Sequence, residues 1–132
     1  MANKAIILVV DDDRVLRETF SYSLENAGYK VLKASSGQEA IGIAKNQHPD
    51  LILLDVLMPL MNGFETAEAL QHDKETEGIP ILFLTGEARD SASVEKGFKI
   101  GADDYLTKGQ STKEILLRIE RTLKRRNRES AS

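Results

Sequence analysis

The chain has 132 residues, 41% of them apolar and 30% charged, with a formal net charge of −3, which suits one globular domain large enough to bury a core. It contains no cysteine, so disulfides, zinc–thiolate centres and thiol catalysis are excluded. Its longest apolar run, Ala5 to Val10, is too short to cross a bilayer and lacks a signal peptide's flanks, and the charge balance demands neither a membrane nor a nucleic-acid partner; a cytoplasmic protein is expected.

Ala5 to Val10 is continuous, apolar and β-rich, the pattern of a strand buried on both faces. Val15, Leu16, Thr19, Phe20, Ser23, Leu24 and Ala27 follow at spacings of three and four, an amphipathic helix that ends at Gly28. Tyr29 to Ala34 predicts a second strand. Gly37 to Gln47 predicts a second helix, with Ala40, Ile41 and Ala44 inward. Leu51 to Leu54 is a third buried strand, ending at Asp55. A loop with Pro59 and Gly63 leads to a helix over Phe64 to His72, with Phe64, Ala67 and Leu70 on its inner side. Ile79 to Leu84 is a fourth buried strand, ending at Thr85. Ser91 to Ile100 predicts a short helix with Val94 and Phe98 inward. Asp104 to Thr107 is a fifth strand, ending near Lys108. The last helix runs from Ser111 to about Arg126, with Ile115, Leu116, Ile119 and Leu123 as its stripe and Ser111 or Thr112 as its cap.

Strand and helix alternate five times, which predicts an α/β fold: a doubly wound, five-stranded parallel sheet with five helices. Residues 1–127 are expected to form the domain and 128–132 a frayed tail. Polar residues with chemical potential follow the buried strands. Asp11, Asp12 and Asp13 come after the first, Asp55 after the third, Thr85 after the fourth and Lys108 after the fifth. In a parallel sheet these ends share the edge where ligands bind.

Each of these residues alone has an ordinary explanation as a helix cap, a turn residue or a solvated charge. Three consecutive carboxylates exceed the needs of one cap, however, and they repel unless a cation compensates them. Oxygen ligands without nearby His or Cys suit a hard cation. A sparse set that leaves room for a phosphoryl group suits Mg²⁺ better than a Ca²⁺ cage.

From about Lys4 to Lys124 the sequence resembles the receiver domain of two-component response regulators. The motifs are Val9-Val10-Asp11-Asp12, Leu53-Leu54-Asp55-Val56-Leu57-Met58-Pro59, Asn62-Gly63, Leu84-Thr85-Gly86 and Gly101 through Lys108. The resemblance implies a flavodoxin-like fold with strand order 2-1-3-4-5. It implies a phosphorylation switch in which Asp55 accepts a phosphoryl group from a histidine kinase or histidine phosphotransfer protein, with Mg²⁺ as cofactor. Asp12 would bind the metal directly, Asp11 mostly through water, and Asp55 and the backbone carbonyl of Leu57 would complete the protein ligands. Thr85 and Lys108 would contact the phosphoryl group, and Tyr105 would swing inward as Thr85 moves. A downstream target or output domain, or a homodimer formed through the fourth helix, fifth strand and fifth helix, would read the change. The domain itself would signal, promoting its own Mg²⁺-dependent phosphorylation and dephosphorylation.

Two departures stand out. Gly109 follows Lys108 where the family usually has a proline in a cis peptide, so a trans or strained bond is expected. Leu57 and Glu87 occupy positions that tune water access in the family. A second reading is a small haloacid-dehalogenase-like phosphatase with Asp11 as nucleophile, in which Asp55 is idle. A third is an interaction module with a vestigial pocket. The basic residues from Arg118 to Arg128 read as a soluble helix end opposing the macrodipole. His48 and His72 read as surface residues, and Met58 and Met61 as loop packing or partner contacts.

Overall fold

Strands made wholly of aliphatic and aromatic residues need apolar cover on both faces, whereas edge strands tolerate charge. That rule orders the sheet in the computed structural model, which describes residues 5–86 and 91–131. β1 (Ile6–Val10), β3 (Leu51–Leu54) and β4 (Ile81–Thr85) lie inside. β2 (Lys30–Ala34), with Lys30 and Lys33 exposed, and β5 (Asp104–Thr107) form the edges. All pairs are parallel and the order is 2-1-3-4-5.

Alternation along each strand makes two cores. Ile7 and Val9 of β1 face Leu24 of α1 (Arg14–Asn26) and Ile115 and Ile119 of α5 (Thr112–Ala131). Leu8 and Val10 face the other way, toward Ala40 and Ala44 of α2 (Gly37–Gln47) and Phe64, Ala67 and Leu70 of α3 (Gly63–Gln71). Ile100 of α4 (Ser91–Ile100) packs on this second core. Right-handed crossovers explain the division: the chain leaves β1 in one direction to make β2, then passes back over β1 to make β3, so α1 and α2 cover opposite faces. This reversal opens a crevice beyond the C-terminal ends of β1 and β3.

Short polar side chains start the helices where the loops need them. Asp13 accepts from Leu16 N at 3.2 Å, Ser36 from Glu39 N at 3.2 Å and Ser111 from Glu114 N at 3.1 Å. Asn62 and Glu65 form a reciprocal capping box. Gly28 has φ 98 just after α1, as its place in the sequence suggests. Helix α5 extends to Ala131, beyond the expected end near Arg126, because no Gly or Pro interrupts it.

Some inward expectations are corrected, Thr19 and Ala27 of the first-helix stripe being exposed. Phe98 is 48% exposed, and the buried residue of that turn of α4 is Gly97, packed against Tyr105 and Phe83. Val94 and Gly97 share the stripe at a spacing of three, so Phe98 rotates outward. Val15, on the first turn of α1, is 72% exposed. Met58 belongs to the core, while half-buried Met61 sits by Gly37 at the start of α2. Both histidines are exposed. Glu87 lies outside the described residues.

Candidate functional site

The acidic crevice is built by strand ends. Asp11 continues β1, its N–H donating to Ala34 O at 3.2 Å, and Asp55 continues β3, its N–H donating to Val10 O at 3.0 Å. The two carboxylates are therefore set by ladder geometry and buried, at 3% and 4% exposure for Asp11 and Asp55, while Asp12 is exposed. One oxygen from each of Asp11, Asp12 and Asp55 falls within a mutual 4.8 Å. A cavity of about 300 Å³ opens over them, lined also by Leu57, Thr85 and Lys108.

Lys108 spans the acids. Its N–H donates to Thr85 O at 3.0 Å, extending the pairing of β4 and β5. Its Nζ lies 2.9 Å from Asp11 Oδ2 and 3.4 Å from Asp55 Oδ2. Burial pulls the Lys108 pKa down, but the two carboxylates outweigh it and leave the pKa raised. At Asp55, burial and then the charge of Asp11 push the pKa up to about 6, against the opposing pull of Lys108.

The carboxylates differ in how they are occupied. Asp11 Oδ1 accepts from Asp13 N at 2.9 Å, and its Oδ2 pairs with Lys108. Its backbone carbonyl accepts from Arg17 Nη1 at 2.8 Å. Asp55 has the longer of the two lysine contacts and faces the cavity. Among the described residues, Thr85 Oγ1 is the buried side-chain polar atom with no hydrogen-bond partner. A fully buried hydroxyl left unpaired at a pocket wall costs stability, and it fits an anionic oxygen placed beside Asp55. The donor set fits a hard divalent cation: three carboxylate oxygens close together, with one lysine offsetting only part of their charge.

Close backbone approach also shapes the site. A Cβ at Gly63 would run into the Asp55 carbonyl oxygen and come within 2.8 Å of Val56 Cα, so the start of α3 can press against the Asp55 backbone only as glycine. Tyr105, half-buried, lies with its ring centroid 5.7 Å from that of Phe83. Asp103 and Asp104, which resemble the other acidic runs in sequence, take no part in the crevice. Asp104 pairs with Arg118 at 2.6 Å, and Asp103 pairs with Arg125 and Arg126, each at 2.9 Å. Arg17 and Gly63 carry functional geometry that periodicity does not signal: one acts through a long side chain reaching back across a loop, the other through having no side chain.

The model of the response regulator receiver domain matches residues 7–120. This chain belongs to that family. Receiver domains are signalling domains of two-component systems, and several curated relatives of this one are named as transcriptional regulators. It is 40% identical over 119 residues to the phosphate regulon transcriptional regulatory protein PhoB of Pseudomonas aeruginosa, covering 90% of this chain and 52% of that protein. It is 44% identical over 120 residues to the response regulator MprA of a Mycobacterium species, covering 90% of this chain and 50% of that protein. The receiver chain thus spans about half the length of the curated relatives it matches. Among solved structures, chemotaxis protein CheY4 of Vibrio cholerae superposes with a TM-score of 0.84 at 34% identity, over 90% of this chain and 98% of that one. A receiver domain protein of Methanospirillum hungatei superposes with a TM-score of 0.89 at 28% identity, over 96% and 99%.

Proposed function

We propose that Asp55 is the phosphoryl acceptor of a two-component relay, charged by a histidine kinase or a histidine phosphotransfer protein. The observation that carries this reading is the convergence of Asp11, Asp12 and Asp55 within 4.8 Å beside Lys108 and the unpaired Thr85 hydroxyl. An Asp55 oxygen attacks phosphorus while the P–N bond of the donor breaks. The electron pair of that bond goes to the imidazole nitrogen, which then takes a proton from solvent. Asp55 must be ionised to attack, and Lys108 keeps it so by opposing burial. Lys108 also neutralises charge on the transferring group, and Thr85 donates to one of its oxygens. Asp12, Asp55 and the Leu57 carbonyl would hold Mg²⁺ directly and Asp11 mostly through water, and the ion would supply further charge neutralisation. The same residues promote attack by water on the acyl phosphate, so phosphorylation and its reversal both belong to this signalling domain.

Asp11 suits the nucleophile of a phosphatase poorly, since both its carboxylate oxygens are already engaged. The apolar side chains of Val15, Leu57 and Leu60, exposed in segments flanking the acidic loops, suit docking of the phosphoryl donor. The acyl phosphate draws Thr85 toward it and frees space for Tyr105 to move inward. The change is read on α4, β5 and α5, where Phe98 and Leu117 are exposed, by a target protein, an output domain or a second copy. We assign no DNA contact to this region, because Arg118, Arg125 and Arg126 are committed to Asp103 and Asp104. Among the described residues no helix is long and apolar enough to cross a membrane, in keeping with action in the cytoplasm.

Mass spectrometry after treatment with acetyl phosphate and Mg²⁺ tests the assignment. Label at Asp55, lost in Asp55→Asn, is expected. Label at Asp11 would favour the phosphatase reading, and no label with no Mg²⁺ binding at millimolar concentration would favour a vestigial pocket.

A further inference from the structure

Lys108 must hold its Nζ between two carboxylates, yet the residue after it restrains nothing. Gly109 is exposed, and a Cβ there would meet only Thr107 Oγ1, at 4.0 Å. Glycine also has the widest backbone freedom of any residue, so the turn from β5 to α5 needs a constraint from elsewhere. The peptide bonds of the described residues are all trans, those of this turn included.

The constraint lies one residue further on. Gln110 N–H donates to Thr107 O at 3.1 Å, closing a four-residue turn with Lys108 and Gly109 at its corners. The side chain closes the same turn from the other side, because Thr107 N–H donates to Gln110 Oε1 at 3.0 Å. Thr107 is the last residue of an edge strand, and Lys108 N–H already points at β4. Alternation turns the Thr107 N–H away from the sheet, where no strand can accept it. The half-buried Gln110 side chain accepts it instead. Ser111 then caps α5 through Glu114 N–H at 3.1 Å, so the clip joins the end of β5 directly to a fixed helix start.

We propose that Gln110 is the positioning residue for Lys108: its side-chain carbonyl clips the Thr107–Gln110 turn and so holds the lysine over Asp55, a task that Gly109 cannot perform. This rests on the reading of Asp55 as phosphoryl acceptor. Lys108 is aimed at the phosphoryl group and is no metal ligand. Loosening the clip therefore weakens capture of a phosphoryl mimic without weakening binding of the bare cation, for which Lys108 only competes through its pairs with Asp11 and Asp55.

The test uses the full chain and its variants Gln110→Ala and Gln110→Glu, the latter keeping an acceptor oxygen at the same reach. Beryllofluoride binding is titrated at saturating Mg²⁺, and Mg²⁺ binding is titrated alone. Gln110→Ala is expected to weaken beryllofluoride binding about three- to tenfold, the worth of one ordinary hydrogen bond. Its Mg²⁺ affinity is expected not to fall, with Gln110→Glu restoring most of the lost beryllofluoride binding. Equal beryllofluoride binding by Gln110→Ala and the parent chain overturns the proposal, as does an equal loss in both variants. Failure of the parent chain to bind beryllofluoride at all would instead overturn the acceptor role of Asp55.

Discussion

Replacing Asp55 with asparagine is expected to make the protein more stable, although it removes the proposed acceptor. The carboxylate is 4% exposed and lies beside Asp11, and its pKa stands at about 6 against an ordinary 3.8. Such a rise means that the ionised form is disfavoured in the folded state, by about 3 kcal/mol at neutral pH if the whole difference is expressed. Asparagine keeps the shape and removes the charge. Lys108 loses its 3.4 Å contact but keeps Asp11 at 2.9 Å. A net gain of about 1–3 kcal/mol follows, raising Tm by roughly 4–10 °C for a domain of this size. The sign of the pH dependence is fixed as well. Between pH 6 and pH 4 the folded parent chain binds a proton that the unfolded chain does not, so its stability rises as pH falls through that window. The variant has no such group, and the gap between the two should close near pH 4. Urea unfolding in EDTA at pH 7.5 and 4.5 measures both effects. A variant no more stable than the parent at pH 7.5, or a gap that does not shrink at pH 4.5, refutes the reasoning.

Asp12→Ala removes the exposed carboxylate of the three; Mg²⁺ affinity by isothermal titration should fall at least about tenfold with stability changed by less than about 0.5 kcal/mol. Gly63→Ala places a methyl against the Asp55 backbone, and urea unfolding should show a loss of about 1–3 kcal/mol, with slower acetyl phosphate labelling as Asp55 shifts. In Gly97→Ala the new Cβ falls 2.9 Å from Tyr105 Cδ2 and 3.2 Å from Phe83 Cδ2, so the Tyr105 ring should move outward. Ring-proton chemical shifts read that displacement, and unchanged Tyr105 resonances would show that α4 had moved instead. Thr85→Ala removes a hydroxyl with no partner, so it should cost less than about 1 kcal/mol in thermal unfolding while weakening beryllofluoride binding severalfold.

The order of elements was legible because burial on both faces forces unbroken apolar strands and burial on one side forces helical spacing. Asp11, Asp55, Thr85 and Lys108 were legible as a group for the same reason: each stands at a strand end, and parallel strands bring those ends to one edge. Phe98 was misplaced because spacings of three and four are both helical, and close packing on Tyr105 and Phe83 selected Gly97. Asp103 and Asp104 show the converse. As a sequence pair they match the acids of the crevice, but their place at the start of β5 turns them to the arginines of α5.

Periodicity and strand-end chemistry, read along the chain, thus determined the layered α/β architecture and which polar residues could meet, since both follow from where a backbone must hide its apolar side chains. Only the folded chain decided which carboxylate is already engaged and which lacks full compensation, that the Thr85 hydroxyl goes unpaired, and that Gln110 closes the turn beneath Lys108. Those outcomes depend on distances of a few tenths of an ångström between segments far apart in sequence, and no local pattern encodes them.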